Sequence, residues 1–355
     1  MSSKKKPISI IIFLISIIIL IFVYNDDFLY SKQIVKITKI DTISEETSQN
    51  SLGLEEKYYM RKITGIITNG KQKGNKKIIS YDESYSSVVT DKYKVNDKII
   101  LDASGIELKR DFYLTLMIVI FLNLLYIVGS YKGLLSVLSV VLNLVIFYIG
   151  LALYFKGINL LFLCVIEMII FSIISLILAS GFNKKTLSAI ISVIISTLLM
   201  LITIVIIINF TGYKGINFNE LSFLTVPIED IILPELLIGS TGAIMDVAIT
   251  ISSAISELIQ KDNNISVKNL KKSAREMGKD IMSTMSNVLF FTYLCSGLPI
   301  FVLALRNGFS MYNYISSNFT LELTRFLIGS IGIVLTIPVS AHISIKLMKR
   351  GVKWI

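Results

Sequence analysis

Apolar residues arrive in long, nearly unbroken runs, and the charged ones gather between them. Runs of similar length lie at 8–24, 112–130, 134–155, 160–181, 186–210, 236–258, 281–305 and 323–345. The hydrocarbon core of a bilayer is about 30 Å thick, so a helix crosses it in roughly 20 residues. Each run is long enough to do so, and the pattern predicts an α-helical polytopic membrane protein with about eight transmembrane helices. Residues 25–110 break the pattern, because charges there alternate with short β-branched stretches. Strands are expected at Gln33–Asp41, Lys57–Thr68, Lys76–Tyr81, Tyr85–Thr90 and Lys98–Asp102. Asn69-Gly70 and Lys73-Gly74-Asn75 supply residues that tolerate positive φ between strands. Five short strands suit a small β-rich domain between helices 1 and 2, read as an OB-like barrel. The plan is then a tail at 1–7, an anchor at 8–24, the β-rich domain at 25–110 and a seven-helix membrane domain at 111–355.

Composition agrees with this plan. Hydrophobic residues make up 53% of the chain, charged residues 17%, and the mean hydropathy is +0.71. Soluble chains carry about 25% charge. A net charge of +10 invites a nucleic-acid partner, but the basic residues flank apolar runs or lie within 25–110, with no basic-aromatic stripe. The lipid bilayer is the expected partner, and no nucleic acid is.

Loop charge gives an orientation. With a cytosolic amino terminus, the inner segments hold sixteen Lys/Arg, among them Lys4–Lys6, Lys184, Lys185, Lys271, Arg275 and Lys349. The three short outer connections and their helix starts hold four: Lys156, Lys214, Arg306 and Arg325. The positive-inside rule favours this arrangement, with both termini cytosolic and residues 25–110 outside. The basic inner segments could also hold anionic lipid headgroups, although topology already accounts for them. Asp26-Asp27 follows the first run with no small-residue cleavage pattern, so that run reads as an uncleaved anchor.

Candidate chemistry comes from polar groups inside the apolar runs, where ionisable side chains are costly and face a bundle interior or a wet cavity. In the sixth run Glu235, Gly239, Gly242, Asp246, Thr250, Ser253 and Glu257 recur at spacings of three and four, which places them on one helical face. The glycines let another helix approach, and Asp246 is expected near mid-bilayer on the packed side. Two readings stand: a polar packing seam, or a carboxylate on an ion or substrate path. Asp280, Thr284 and Asn287 share a face of the seventh run and could meet that stripe. Glu167 stands alone in the fourth run. Arg325 either pairs with a carboxylate or snorkels to the headgroups.

Enzyme chemistry is not expected. Cys164 and Cys295 lie inside apolar runs, and His342 is the one histidine, so neither a disulfide framework nor a metal cluster is indicated. No phosphate-binding loop or GxGxxG is present, so no cofactor is implied. Gly239-Ser-Thr-Gly242 and His342 lie toward opposite membrane faces, too far apart for a nucleophile and its base. Intramembrane aspartyl chemistry needs two aspartates at one depth, and only Asp246 is deep.

These residues resemble the YibE/F-like family of bacterial multi-span membrane proteins. The resemblance is carried by Gly242-Ala-Ile-Met-Asp246-Val-Ala-Ile-Thr-Ile with Ser253 and Glu257, and by Gly278-Lys-Asp280-Ile-Met-Ser-Thr-Met-Ser-Asn287. Glu322-Leu-Thr-Arg325-Phe-Leu-Ile-Gly-Ser330-Ile-Gly-Ile-Val-Leu-Thr-Ile-Pro338 completes it. Lys279 and Ser283 stand where family versions usually carry Arg and Gly. The resemblance covers most of the chain and implies a bacterial plasma-membrane location, with no settled activity. A weaker, partial likeness joins the chain to the SecD/SecF and RND-type exporters, in which an aspartate on a similar helix handles protons. Spans four and five, the small outer domain and the missing second half depart from that pattern.

Two function classes follow. One is a secondary transporter or export accessory that carries an ion or small molecule past Asp246, with Glu167, Asn287, Asp280, Glu257 and Arg325 lining the path. The other is a scaffold whose outer domain and basic loop 260–279 recruit a membrane-protein partner or a second copy of the chain.

Overall fold

A computed structural model describes residues 5–49, 55–87, 91–102, 105–218 and 226–349. The chain divides into two compact units, 1–134 and 135–355.

The first unit opens with helix α1, Lys5–Tyr24, and one 3-10 turn, Asp26–Leu29. Five strands follow: β1 Gln33–Gln49, β2 Glu55–Ile67, β3 Lys76–Ser84, β4 Lys98–Asp102 and β5 Gly105–Leu108. They form one antiparallel sheet in the order β3-β2-β1-β4-β5. The apolar members of the alternation, Val35, Ile37, Ile63, Ile67 and Ile99, are buried together with Tyr93. Gly70 and Gly74 take φ of 72° and 91° in the β2–β3 turn, as their positions predicted.

The sheet is open, which corrects the expected OB-like barrel. Its edges are β3 and β5, and β4 and β5 are only five and four residues long, too short to curl round and close the ring. Of the expected strand Tyr85–Thr90, residues 85–87 form a turn, and 88–90 lie outside the described residues. The fifth strand falls instead at Gly105–Leu108, whose two apolar residues are too few to show a period. Strand β1 also runs on to Gln49, pairing with β2 as a polar ribbon that no apolar alternation announces.

Charges at the root of this sheet are buried and paired. The Lys109 side chain is 3% exposed and binds Asp26, Asp27 at 3.1 Å and Asp111 at 3.2 Å. Lys98 reaches Asp27 at 2.8 Å. The Tyr30 hydroxyl donates to Asp111 at 2.8 Å. These contacts tie the end of α1 to the last strand and to the start of the next helix. Burial opposes the charged form of Asp27, yet hydrogen bonds from Lys98 and Lys109 outweigh it and hold the carboxyl below its ordinary value. Burial works against the Lys109 ammonium in the same way, and its three carboxylates more than offset it, so its pKa is raised.

Six helices among the described residues are long and apolar enough to cross a membrane. They are α2 Asp111–Tyr154, α3 Leu160–Ser180, α4 Lys184–Thr211, α5 Ile228–Lys261, α6 Val267–Arg306 and α8 Thr320–Lys349. A short α7, Met311–Tyr314, and a π turn, Ile315–Phe319, precede the last. The protein is therefore a helical polytopic membrane protein with an N-terminal β-sheet domain.

Two of the expected spans, 112–130 and 134–155, fall within α2. Its backbone breaks at Ser130, at φ 52° and ψ −136°. A Cβ on Gly133 would stand 2.5 Å from the Leu125 carbonyl oxygen, although eight residues of straight helix span about 12 Å. The chain is turned sharply there, so α2 is two helical segments and not one rod.

Local caps set other boundaries. Asn159 accepts from the Phe162 amide at 3.1 Å and Asn183 from the Thr186 amide at 2.9 Å, each closing a helix start. The expected basic loop 260–279 is mostly helix. Ser266 caps α6 by accepting from the Asn269 amide at 3.1 Å, and Leu270 and Ala274 bury one face of the basic turns that follow.

Within the second unit α8 packs against α4, α5 and α6. The seam is built from small residues four apart: Ser188, Ser192 and Ser196 on α4, Ala248 and Ser252 on α5, and Gly332, Thr336, Ser340 and Ser344 on α8, with buried Ser240 higher on α5. The Ser344 hydroxyl donates to that of Ser188 at 3.2 Å, whose own hydrogen goes to the Lys185 carbonyl, and lies 2.9 Å from the Ser252 hydroxyl, from which it can accept. Ser192 and Thr336 return their hydroxyls to their own helices, at 2.6 Å each. Lipid tails are as apolar as leucine, so close backbone approach through small residues is what drives such helices together.

Candidate functional site

The α5 stripe lies on the open side of its helix. Ile244, Val247, Ala248, Ile251 and Ile255 are buried in the two apolar clusters of the unit, whereas Gly239, Gly242, Asp246, Thr250 and Glu257 are exposed. Asp246 was expected on the packed side, and the structure corrects this. Two faces of α5 carry the same helical period, and the one with bulky apolar residues beside serine is the one that packs. No hydrogen bond or ion pair reaches the Asp246 carboxylate among the described residues. Nothing stands within 4 Å of a Cβ on Gly242, while one on Gly239 would lie 3.1 Å from the Tyr293 hydroxyl. Gly239 therefore lets α6 come close, and Gly242 does not serve that purpose.

That contact also fixes the register of α5 against α6. The two helices are joined by the short connection Asp262–Ser266 and run antiparallel. Seven residues from the contact toward the connection, Asp246 on α5 stands level with Ser286 and Asn287 on α6. Asp280, Thr284 and Asn287 are exposed on α6 as well. The polar faces of the two helices thus share a depth, although no hydrogen bond joins them among the described residues.

Each end of the stripe meets charge. At the Glu235 end, Arg325 of α8 pairs with Glu235 at 2.5 Å and with Glu322 at 2.5 Å. The Glu322 side chain is 4% exposed and accepts from Ser296 of α6 at 3.3 Å. Pairing, rather than snorkelling, is what Arg325 does. Sequence reasoning missed Glu322, which precedes Arg325 by one helical turn; that spacing is the signal that could have found it. At the Glu257 end, Ser253, Ser256, Glu257 and Gln260 face Lys184 and Lys185 of α4 across a polar cleft of about 540 Å³.

Glu167 is buried, 5% exposed, and is not part of this arrangement. Its Oε1 lies so close to Gly150 of α2 that an added Cβ there would stand 1.6 Å away. No hydrogen bond satisfies that oxygen among the described residues. The same α2–α3 interface holds Ser139, Asn143 and Ser175, joined at 3.0 and 2.8 Å.

The described residues contain no cluster of three or more His, Cys, Asp or Glu able to hold a metal. What the arrangement can do is chemically limited: an unpartnered carboxylate can take or release a proton or a small cation, between one end held by an ion-pair cluster and another open to a polar cleft.

The apolar helices, the small-residue seam and the sheet domain ahead of them define a multi-span membrane protein with a carboxylate stripe on one helix. A sequence profile of the YibE/F-like protein matches residues 117–350, and one of the YibE/F family N-terminal domain matches residues 28–116. Between them they cover nearly the whole chain, which belongs to the YibE/F-like family. No curated protein and no solved structure matches it.

Proposed function

We propose that the protein is a secondary transporter or export accessory of the bacterial plasma membrane, and that Asp246 is its ion-responsive carboxylate. It crosses the membrane eight times: once through α1, twice through the two segments of α2, and once each through α3, α4, α5, α6 and α8. The break at Ser130 supports this count. The excess of basic residues supports cytosolic termini, with the sheet domain and the Glu235 end of α5 outside. The observation that carries the reading is the stripe itself. A helix that buries apolar residues on one face presents glycine, aspartate, threonine and glutamate on the other. An ionised carboxylate in mid-bilayer costs about 3 kcal/mol on insertion scales, so Asp246 is sustained only against water or a polar partner.

A hydrophobic carbodiimide, which reacts with protonated carboxyls in apolar surroundings, tests this. In the membrane-embedded protein it is expected to modify Asp246, with modification suppressed by alkaline pH or by the coupling cation and absent in Asp246→Asn. Modification of Asp280 and Glu257 alone, with Asp246 untouched at every pH, would count against the reading.

The neutral rival, a scaffold that recruits partners, is favoured by one observation: the stripe is open within its unit and needs cover in lipid. Under that reading Asp246→Asn leaves function intact, while deletion of residues 30–105 removes it.

A further inference from the structure

A second cleft lies away from the stripe, between the first turns of α6 and the last turns of α8. Its volume is about 660 Å³, and Lys271, Arg275, Lys279 and His342 stand at its polar rim. Its floor is apolar: Met282 from α6, and Val334, Ile337, Pro338 and Ala341 from α8. On α6 the basic residues recur every four positions, and Gly278 and Met282 follow Arg275 and Lys279 by three, so all five share one face. Gly278 is what lets the two helices converge at the base of the cleft, because a Cβ there would stand 2.3 Å from Ile337 Cγ2. Pro338 has no N–H to give the Val334 carbonyl, which leaves an acceptor on the wall.

A free anion would gain nothing from Met282, Val334, Ile337 and Pro338, and a neutral lipid nothing from three cations. Together the two halves match an amphiphile with a negative head. The step from basic to apolar along α6 falls where the expected span 281–305 begins, so the rim lies at headgroup level and the floor at acyl level. Glu276 pairs with Lys279 at 3.0 Å on the exposed side, and Asp280 points along the opposite face of α6, so neither carboxylate lines the cleft.

We infer that this cleft binds an anionic glycerophospholipid, its phosphate held by Lys271, Arg275 and Lys279 and its acyl chains laid along Met282, Val334, Ile337 and Pro338. The site is independent of Asp246.

The test uses the full-length protein in vesicles of phosphatidylcholine with phosphatidylglycerol, followed by detergent extraction and quantification of the lipid retained. Each basic residue near a lipid surface is worth about fivefold in binding, and the Lys279 charge is already met by Glu276, so phosphatidylglycerol is expected to be enriched about twenty-fivefold over its share. The triple variant Lys271→Gln/Arg275→Gln/Lys279→Gln is expected to remove that enrichment, and Arg275→Gln alone to lower it about fivefold. Lys184→Gln/Lys185→Gln, at the other polar cleft, is expected to retain it. Ala341→Trp, which fills the floor without touching a charge, is expected to lower it. Equal retention of the two lipids, equal loss in the Lys184/Lys185 variant, or full retention in the triple variant would overturn the proposal. So would displacement of the lipid by millimolar inorganic phosphate, which would mark a site for a free anion.

Discussion

The sheet domain and the membrane unit treat carboxylates in opposite ways. At the root of the sheet, Asp26, Asp27 and Asp111 surround the buried Lys109, with Lys98 and Tyr30 completing the set. In the membrane unit, α5 turns Asp246 away from both packed clusters and offers it no partner among the described residues. The first arrangement fixes geometry, since every charge needs its counterpart to stay buried. The second leaves a carboxylate without a counterpart on a helix long and apolar enough to cross a membrane. A paired charge is part of the fold; an unpaired one is available for work.

The largest effect that could break this comparison is expected at Lys109. Removing one member of a buried ion set leaves the others unpaired and costs about 3–5 kcal/mol. Lys109→Ala is expected to loosen residues 25–110 throughout, seen as faster amide exchange across β1, β4 and β5 in the full-length protein. Unchanged exchange would mean that the cluster is decorative.

Next come the glycines, which separate packed from open faces. Gly278→Ala drives a Cβ onto Ile337, and overpacking of this kind costs about 1–3 kcal/mol. Gly242→Ala meets nothing and, by helix propensity, is expected to hold or raise stability by up to about 1 kcal/mol. Thermal melts of the purified protein read both, and equal losses would place the stripe inside the bundle after all.

Smallest is the pH response of the sheet domain. Because the Asp27 carboxyl is held below its ordinary 3.8, its contribution is present above that value and fades as pH falls through the lowered pKa. Tyr30, pushed up to about 12 chiefly by burial and then by its bond to Asp111, gives the opposite limb, a loss as pH rises from 10 toward 12. Chemical denaturation across pH is expected to show both shoulders, and the acid one is expected to vanish in Asp27→Asn.

The six long apolar helices were legible because a bilayer demands continuous apolar length, and the family because its motifs sit on those helices. The helical start of α6 was hidden by its lysines, which conceal that Leu270 and Ala274 still bury one side. Strand β5 was too short to display a period. The face of α5 that packs was not readable, since lipid and protein interior accept the same residues. The stripe was found, its direction was not. The serines of α4 and α8, spaced by four, were the available sign of where the helices meet. Arg325 was flagged with two outcomes; Glu322 stands one turn away on its own helix, and the fold brings Glu235 to it from α5.

Asp246, as proposed, answers to an ion. Protein reconstituted on a solid-supported membrane and exposed to a proton or sodium concentration jump is expected to give a transient charge displacement that Asp246→Asn abolishes. The same substitution should leave insertion, amount and melting temperature unchanged, within the roughly 0.5 kcal/mol typical of an open site. A displacement of the same size in Asp246→Asn, or none above empty liposomes in the native protein, would contradict the account.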